Sequence, residues 1–167
     1  MKALFIVLCI ICAIIPLIVY TVGIVKAAEM DVNCIAYLEL AADANSVTLA
    51  EKHLTTAINY LEESGITRGN TSIIIKSPAN DIGIWYENLK SAQEQMQKLS
   101  ARDDLTELEE SNALMKLRET LLDDTSVTHP EWIAFYPAHV SWAWSMILIW
   151  ALWILALIFG AVAYETY

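Results

Sequence analysis

The sequence is poor in the residues that most often carry chemistry or cross-links. Its 167 residues include three cysteines, five glycines and four prolines. Cys9 and Cys12 fall in an apolar run and Cys34 stands alone, so the sequence predicts neither a disulfide framework nor a zinc site. The glycines form no phosphate-binding loop, and no serine lies in a nucleophile motif. These absences favour a protein that is not an enzyme and uses no metal or cofactor.

Histidine is scarce as well, and its placement gives no catalytic pattern. His53, His129 and His139 are widely separated, and no second cluster of acid–base residues lies near any of them. The acidic pairs of the chain are adjacent in sequence, so on a helix their carboxylates diverge and become solvated faces or caps. We therefore interpret these residues as structural or solvent-facing.

Positive charge is also limited. Ten Lys and Arg stand against 20 Asp and Glu, a formal net charge of −10. Between the two ends of the chain, residues 26–140 hold nine of the cations and 19 of the acids. A surface of this sign repels nucleic acid, and we expect no nucleic-acid partner.

What the sequence does have is two long apolar runs. Residues 3–25 and 141–164 contain no charged residue, and a bilayer core of about 30 Å is spanned by about 20 apolar residues of helix. We predict that both are transmembrane helices, with membrane lipids as partners. A signal peptide is the alternative for the first run, since Lys2 precedes it and Val25-Lys26-Ala27 has the small-x-small shape of a cleavage site. The run is longer than the apolar core of a signal peptide, which favours an uncleaved anchor.

Charge at the ends of the runs gives a preferred orientation. Lys2 lies outside the first run, and apart from Lys26 the domain-side flanks are free of Lys and Arg over long stretches. The positive-inside rule then predicts cytoplasmic termini and an extracytoplasmic domain, as for a multi-pass protein of a bacterial inner membrane.

The acidic middle, residues 26–140, reads as helical. Apolar spacing predicts helices over 29–64, 81–100 and 105–122, and the first of these is either one helix or two, with a capping box from Thr48 to Glu51. The predicted fold class is an all-α membrane protein in which two transmembrane helices flank an extramembrane helical hairpin or bundle. Because a hairpin alone buries its apolar faces poorly, we expect a dimer or a higher oligomer to complete the bundle.

The connection over 65–80 is unusually long for helices that pack against each other. We place it at the tip of the hairpin, furthest from the membrane. It is either a corner whose apolar residues fold back on the helices or a tip that docks a partner. The candidate docking residues are Ile73, Ile74, Ile75, Ile82 and Trp85.

Both apolar runs carry residues at helical spacing that suit packing between membrane helices. The first run places small residues and a kinking proline on one face, and the second holds a tryptophan stripe and a small-xxx-small pair. The candidate packing residues are Cys9, Ala13, Pro16, Gly23, Trp142, Met146, Trp150, Trp153, Ala156 and Gly160.

The sequence favours a role in assembly. Two spans with an outer helical domain resemble bacterial sensory receptors in layout, but the few residues outside the spans leave room for no output domain. We expect a non-enzymatic, membrane-anchored helical protein, either a homo-oligomeric scaffold or an accessory subunit of a membrane complex. The alternative is a ligand-sensing outer domain coupled to a separate signalling or transport partner.

Overall fold

The chain folds as a helical bundle. The computed structural model describes the backbone of residues 2–165, and the side chains of residues 14–158 except 16 and 156. A π-helical turn (Asp31–Ile35) joins the first two helices, and 3-10 turns lie at Pro78–Asn80 and Ile133–Phe135. The helices are α1 (Lys2–Met30), α2 (Ala36–Ala42), α3 (Val47–Glu63), α4 (Ile82–Ser100), α5 (Glu107–Leu121) and α6 (His139–Glu165), and the two-residue strands β1 (Leu122–Asp123) and β2 (Ser126–Val127) pair as an antiparallel hairpin.

Within the part of the chain that the structure describes, no helix combines the length and the apolar character needed to cross a bilayer. Both predicted spans, 3–25 and 141–164, fall partly outside the described side chains.

The segment predicted as helix over 29–64 is divided at two places. The π-helical turn interrupts it first, and α2 then ends before Asp43. The chain restarts at Ser46, whose backbone is extended (φ −149°, ψ 150°) and whose hydroxyl accepts a hydrogen bond from the Leu49 N–H at 3.3 Å. Ser46 therefore caps α3, two residues before the Thr48 cap that the sequence suggested, because only an extended residue can turn its side chain onto the free N–H groups.

The core of the bundle closes within a single chain. Buried side chains from α2, α3, α4 and α5 form one apolar cluster, so no second copy is needed to cover these helices. Apolar side chains of these four helices, spaced mainly by three and four residues, supply most of it. The largest of these are Leu38, Leu54, Ile58, Leu61, Ile82, Leu89, Met96, Leu117 and Leu121.

Reversals of the chain give the bundle two different ends. At one end, here the turn end (residues 43–46 and 101–106), the Val47 N–H donates to the Glu110 carboxylate at 3.0 Å and the Ser100 hydroxyl donates to Glu51. At the other, here the loop end (residues 64–81 and 128–138), the Trp85 indole N–H donates to the Thr128 carbonyl at 2.8 Å. α1 enters and α6 leaves the bundle at the loop end.

Candidate interaction surfaces

The connection between α3 and α4 is an ordered loop that the backbone closes at its base. Gly69 and Asn70 lie beside the start of α4, where the Ile82 N–H donates to the Gly69 carbonyl and the Thr71 N–H donates to the Asn80 carbonyl, both at 2.9 Å. The side chain of Thr71 is buried beneath this closure. Residues 70–80, here the isoleucine loop, are therefore held at both ends.

Polar side chains of the isoleucine loop bond to the loop itself. The Ser72 N–H donates to the Asn70 side-chain oxygen at 3.0 Å, and the Asn70 amide donates to the Ser77 carbonyl at 3.2 Å. The Ser72 hydroxyl donates to the Ile75 carbonyl, and the Asn80 amide reaches the Ser77 hydroxyl at 3.1 Å. Because these polar groups are satisfied internally, the loop keeps its shape without burying its apolar side chains.

The three consecutive isoleucines of the loop are exposed to solvent. Ile73, Ile74 and Ile75 are 45 %, 90 % and 76 % exposed. Burying an isoleucine side chain is worth about 1.5–3 kcal/mol, so three exposed ones in a shaped loop form an apolar surface without a cover in the monomer.

The other two candidate docking residues take structural places. Ile82 is fully buried in the core, directly after Asp81, whose carboxylate caps α4 by accepting from the Gly83 and Ile84 N–H groups. Trp85 packs against the core, and its indole holds the segment after β2. The structure thus separates the five candidates into three exposed residues and two that stabilise the corner.

The isoleucine loop lies against the segment that leads into α6. Tyr136 contacts Gly69 so closely that a methyl group on Gly69 would overlap the tyrosine hydroxyl and ring. Ile73 and Ile74 line a shallow depression together with Trp132 and Glu131. The sequence placed this loop at the far tip of the hairpin; the structure places it at the loop end, beside the junctions with α1 and α6.

An aromatic row connects this region to both terminal helices. The ring centroids of Trp132 and Phe135 lie 5.7 Å apart, and those of Phe135 and Trp142 lie 5.1 Å apart. Trp142 in turn covers Gly23 of α1, where a Cβ atom would stand 3.3 Å from the indole. Because Gly23 has no side chain, Trp142 packs against the backbone of α1 there and buries the glycine.

Among the five candidate packing residues whose side chains are described, Gly23 and Trp142 therefore meet. Met146 is half-buried, whereas Trp150 and Trp153 are 70 % and 46 % exposed. The other candidates lie outside the described side chains, namely Cys9, Ala13, Pro16, Ala156 and Gly160.

The groups with acid–base or nucleophilic chemistry lie on separate elements. Burial raises the pKa of the Cys34 thiol to about 12, which removes the thiolate at neutral pH. His53 contacts Tyr37, with ring centroids 6.1 Å apart, and buried His139 stacks on Tyr136 at 5.5 Å. Among the described residues, no three His, Cys, Asp or Glu side chains gather where they could hold a metal ion.

The isoleucine loop lies within the longest acid-free stretch of residues 26–140. Residues 64–80 hold Arg68 and Lys76 but no acid, although the whole of residues 26–140 carries a net charge of −10. No other stretch of that region runs as long without Asp or Glu. A scan for acid-free windows would have distinguished this segment from the rest of the domain.

Comparison with protein-family models, with curated proteins and with solved structures finds no match to this chain. Its function is therefore argued from its own residues.

Proposed function

We propose that the protein is a non-enzymatic, membrane-anchored helical protein that acts by assembly, as a homo-oligomer or as an accessory subunit of a membrane complex. The observation that carries this proposal is that α1 and α6 leave the same end of a bundle whose core is already closed. Their outward apolar side chains have no remaining place inside the domain.

The apolar surfaces of α1 and α6 support the membrane anchor. A bundle of this size hides its large apolar side chains in its core, yet both terminal helices expose them in succession. In lipid the same side chains are covered without any further protein contact. On α1 they include Ile14, Ile15, Leu17, Ile18, Ile24 and Val25, and on α6 Ile147, Leu148, Ile154, Leu155, Leu157 and Ile158.

The tryptophans of α6 support assembly within the membrane. Trp150 is exposed near the middle of α6, and exposed Trp153 lies about one turn further along the helix. Tryptophan is usually found at the membrane interface, but Trp150 and Trp153 fall near the middle of residues 141–164. A large, rigid aromatic surface at that depth suits contact with another protein, since aromatic side chains dominate the energetics of interfaces.

The chemistry of the domain supports a non-enzymatic role. The one described cysteine is a buried thiol, His53 and His139 pack against tyrosine rings, and His129 is exposed. An active site would bring such groups together in a cleft with shifted pKa values.

Ligand sensing by the bundle is the second candidate, and one groove bears on it. The groove lies between α4 and α5 and has a volume of about 200 Å³. Pockets for small molecules usually measure about 300–1,000 Å³, so this groove offers less support than the terminal helices do. Its lining includes Asn88, Ser91, Gln95, Met96 and Lys116.

Membrane insertion is tested by charge at the centre of α6. Arginine at the centre of a membrane helix costs about 2.5–3.5 kcal/mol on insertion scales, whereas leucine is favourable. We expect Trp150→Leu to stay in the membrane pellet after alkaline carbonate extraction, and Trp150→Arg, which leaves α1 as the remaining anchor, to show a smaller fraction of the chain there. If the unsubstituted chain is itself released by carbonate, the anchor proposal fails.

Assembly is tested by native mass spectrometry of the protein gently extracted from its own membrane. A fixed multiple of the 18.7 kDa chain supports a homo-oligomer, and a defined foreign subunit supports an accessory role. A monomer that carries only lipid would overturn the assembly proposal and leave the anchor intact.

A further inference from the structure

The isoleucine loop combines an apolar tip with a rigid frame. Its amide and hydroxyl groups bond within the loop, and its base is closed onto the first turn of α4. Ile74 and Ile75 therefore project on a preformed support. Such a surface gains free energy from an apolar cover without first losing the entropy of ordering the loop.

The charge around these isoleucines differs in sign from the rest of the domain. Lys76 follows Ile75 directly and Arg68 lies two residues before the loop, both exposed, and the loop itself has no acid. Glu131, exposed beside Ile73 and Ile74, is the carboxylate in the same depression. Two cations next to an apolar tip match the anionic surface and the acyl boundary of a lipid leaflet.

The position of the loop completes the argument. Trp132, half exposed beside Ile73 and Ile74, begins the aromatic row that ends at Trp142 and Gly23. Both terminal helices therefore leave the bundle next to the loop. Tryptophan is the residue that most favours the headgroup region, so Trp132 and the isoleucines lie on one surface suited to it.

From these observations we infer that the isoleucine loop, together with Trp132, inserts into the headgroup region of the bilayer and is a third membrane contact between α1 and α6. This inference rests on the proposed function, since the terminal helices bring the loop to the membrane. The contact fixes the bundle close to the leaflet, with its acidic turn end facing water. The competing occupant is a protein partner with an anionic or neutral surface. The test below distinguishes lipid from such a partner.

Site-directed spin labelling of the full chain in nanodiscs of phosphatidylcholine and phosphatidylglycerol tests the inference. Cys9→Ala and Cys12→Ala remove two competing thiols, and buried Cys34 can remain. One nitroxide is then placed at Ile74→Cys. Accessibility to oxygen, which concentrates in lipid, and to a water-soluble nickel complex gives the depth of the label.

Two matched positions serve as references. Leu108→Cys places the label on an exposed leucine in the first turn of α5, at the turn end, and Leu157→Cys places it on an exposed leucine of α6. We expect the label at position 74 to favour oxygen over nickel, at a depth between those of positions 108 and 157. In the labelled chain, Ile75→Asp should return position 74 to the nickel-accessible class.

Each other outcome has a distinct meaning. If position 74 matches position 108 while position 157 lies in lipid, the loop contact is refuted and the anchor stands. If position 157 is also open to nickel, the proposed function fails. If position 74 is shielded from both reagents, protein covers the loop and the lipid assignment is overturned.

Discussion

The bundle and the terminal helices are both rich in leucine and isoleucine, yet the bundle buries many of these side chains and the terminal helices expose them. Leu54 and Ile58 of α3 are buried by neighbouring helices, whereas Ile147 and Leu155 of α6 are exposed. The difference lies in the residues between these apolar positions. In α3 charged and polar residues occupy the outer face, whereas residues 141–164 contain no charge. An amphipathic helix can be covered by its own chain, and a uniformly apolar one needs an external cover.

Polar groups follow the same division. The ion pairs among the described residues join positions of the bundle, such as Lys90 with Glu62 and Arg118 with Asp43. On the terminal helices, the Thr21 hydroxyl donates to the Leu17 carbonyl at 2.8 Å and the Ser145 hydroxyl to the Trp142 carbonyl at 2.7 Å. Bonds of this kind also occur in the bundle, for example from the Thr56 hydroxyl to the Lys52 carbonyl, so the ion pairs are what distinguish the two regions.

The largest expected effect comes from making one substitution in both regions. Leu54→Ala removes a fully buried side chain from α3 and should lower the free energy of unfolding by about 2–5 kcal/mol, because it leaves a cavity. Leu155→Ala removes an exposed side chain of α6 and should change it by less than about 0.5 kcal/mol. Urea denaturation of the full chain in detergent, followed by circular dichroism, measures both.

Leu108→Ala is the control within the bundle, since this leucine is largely exposed on α5. It should behave like Leu155→Ala. Equal destabilisation by Leu54→Ala and Leu155→Ala would mean that α6 belongs to the same cooperative core, and the contrast between the two regions would disappear.

The residues that form the core show how much the sequence could predict. The stripe Leu89, Ala92 and Met96 is buried as its spacing indicates, because this part of α4 faces the core, whereas Trp85 and Leu99 on the same stripe are partly buried. Leu108 has the same spacing within its segment but remains exposed, since it lies in the first turn of α5. Local periodicity identifies a face; whether a neighbour reaches the end of that face depends on the three-dimensional arrangement.

The next largest loss of stability is expected where the isoleucine loop contacts the segment before α6. Gly69 has φ +124°, and a methyl group there would overlap Tyr136. Backbone strain costs about 1–3 kcal/mol and overlap with the tyrosine adds to it, so Gly69→Ala should destabilise the loop end by at least about 2 kcal/mol. Hydrogen exchange at the Thr71 and Ile82 amides, which close the loop, should accelerate.

Gly65→Ala is the matched control, because Gly65 also has positive φ (+70°) but faces open space. Only strain of about 1 kcal/mol is expected there. Adding Tyr136→Ala should recover part of the loss in Gly69→Ala and none in Gly65→Ala. Equal effects of the two glycine substitutions would mean that the loop is not held against the segment before α6.

The position of the isoleucine loop could not be predicted from local sequence. Its run of isoleucines and its turn residues were visible in the sequence, but Gly69 and Tyr136 are separated by 66 residues and neither signals the contact alone. The end of the bundle at which the loop lies depends on how many times the chain reverses direction before it. The break at residues 43–46 adds a reversal that a single helix over 29–64 lacks, and this moves the loop from the far tip to the loop end.

The smallest expected effect concerns a polar contact on the bundle surface, of a kind that the described terminal helices lack. The Tyr86 hydroxyl donates to Glu62 at 2.6 Å, and this hydrogen bond, together with Lys90 at 3.5 Å, lowers the pKa of Glu62. Burial, with the Glu62 hydrogen bond, raises the pKa of Tyr86 to about 12, so the tyrosine remains a donor at neutral pH. Tyr86→Phe should raise the pKa of Glu62 towards its ordinary value, which an NMR titration of the carboxylate measures.

The sign of the pH dependence follows from this shift. Because the pKa of Glu62 is lower in the folded than in the unfolded chain, the stabilisation is present above the unfolded pKa and is lost as pH falls through the folded pKa. On acidification the unsubstituted protein should therefore lose slightly more stability than Tyr86→Phe loses. Tyr60→Phe on the same helix as Glu62 is the control, since burial is the main cause of the raised pKa of Tyr60, with Glu29 as its neighbouring carboxylate. If the pKa of Glu62 is the same in Tyr86→Phe as in the unsubstituted chain, the hydrogen bond does not hold in solution, and the bundle surface is less ordered by polar contacts than its geometry indicates.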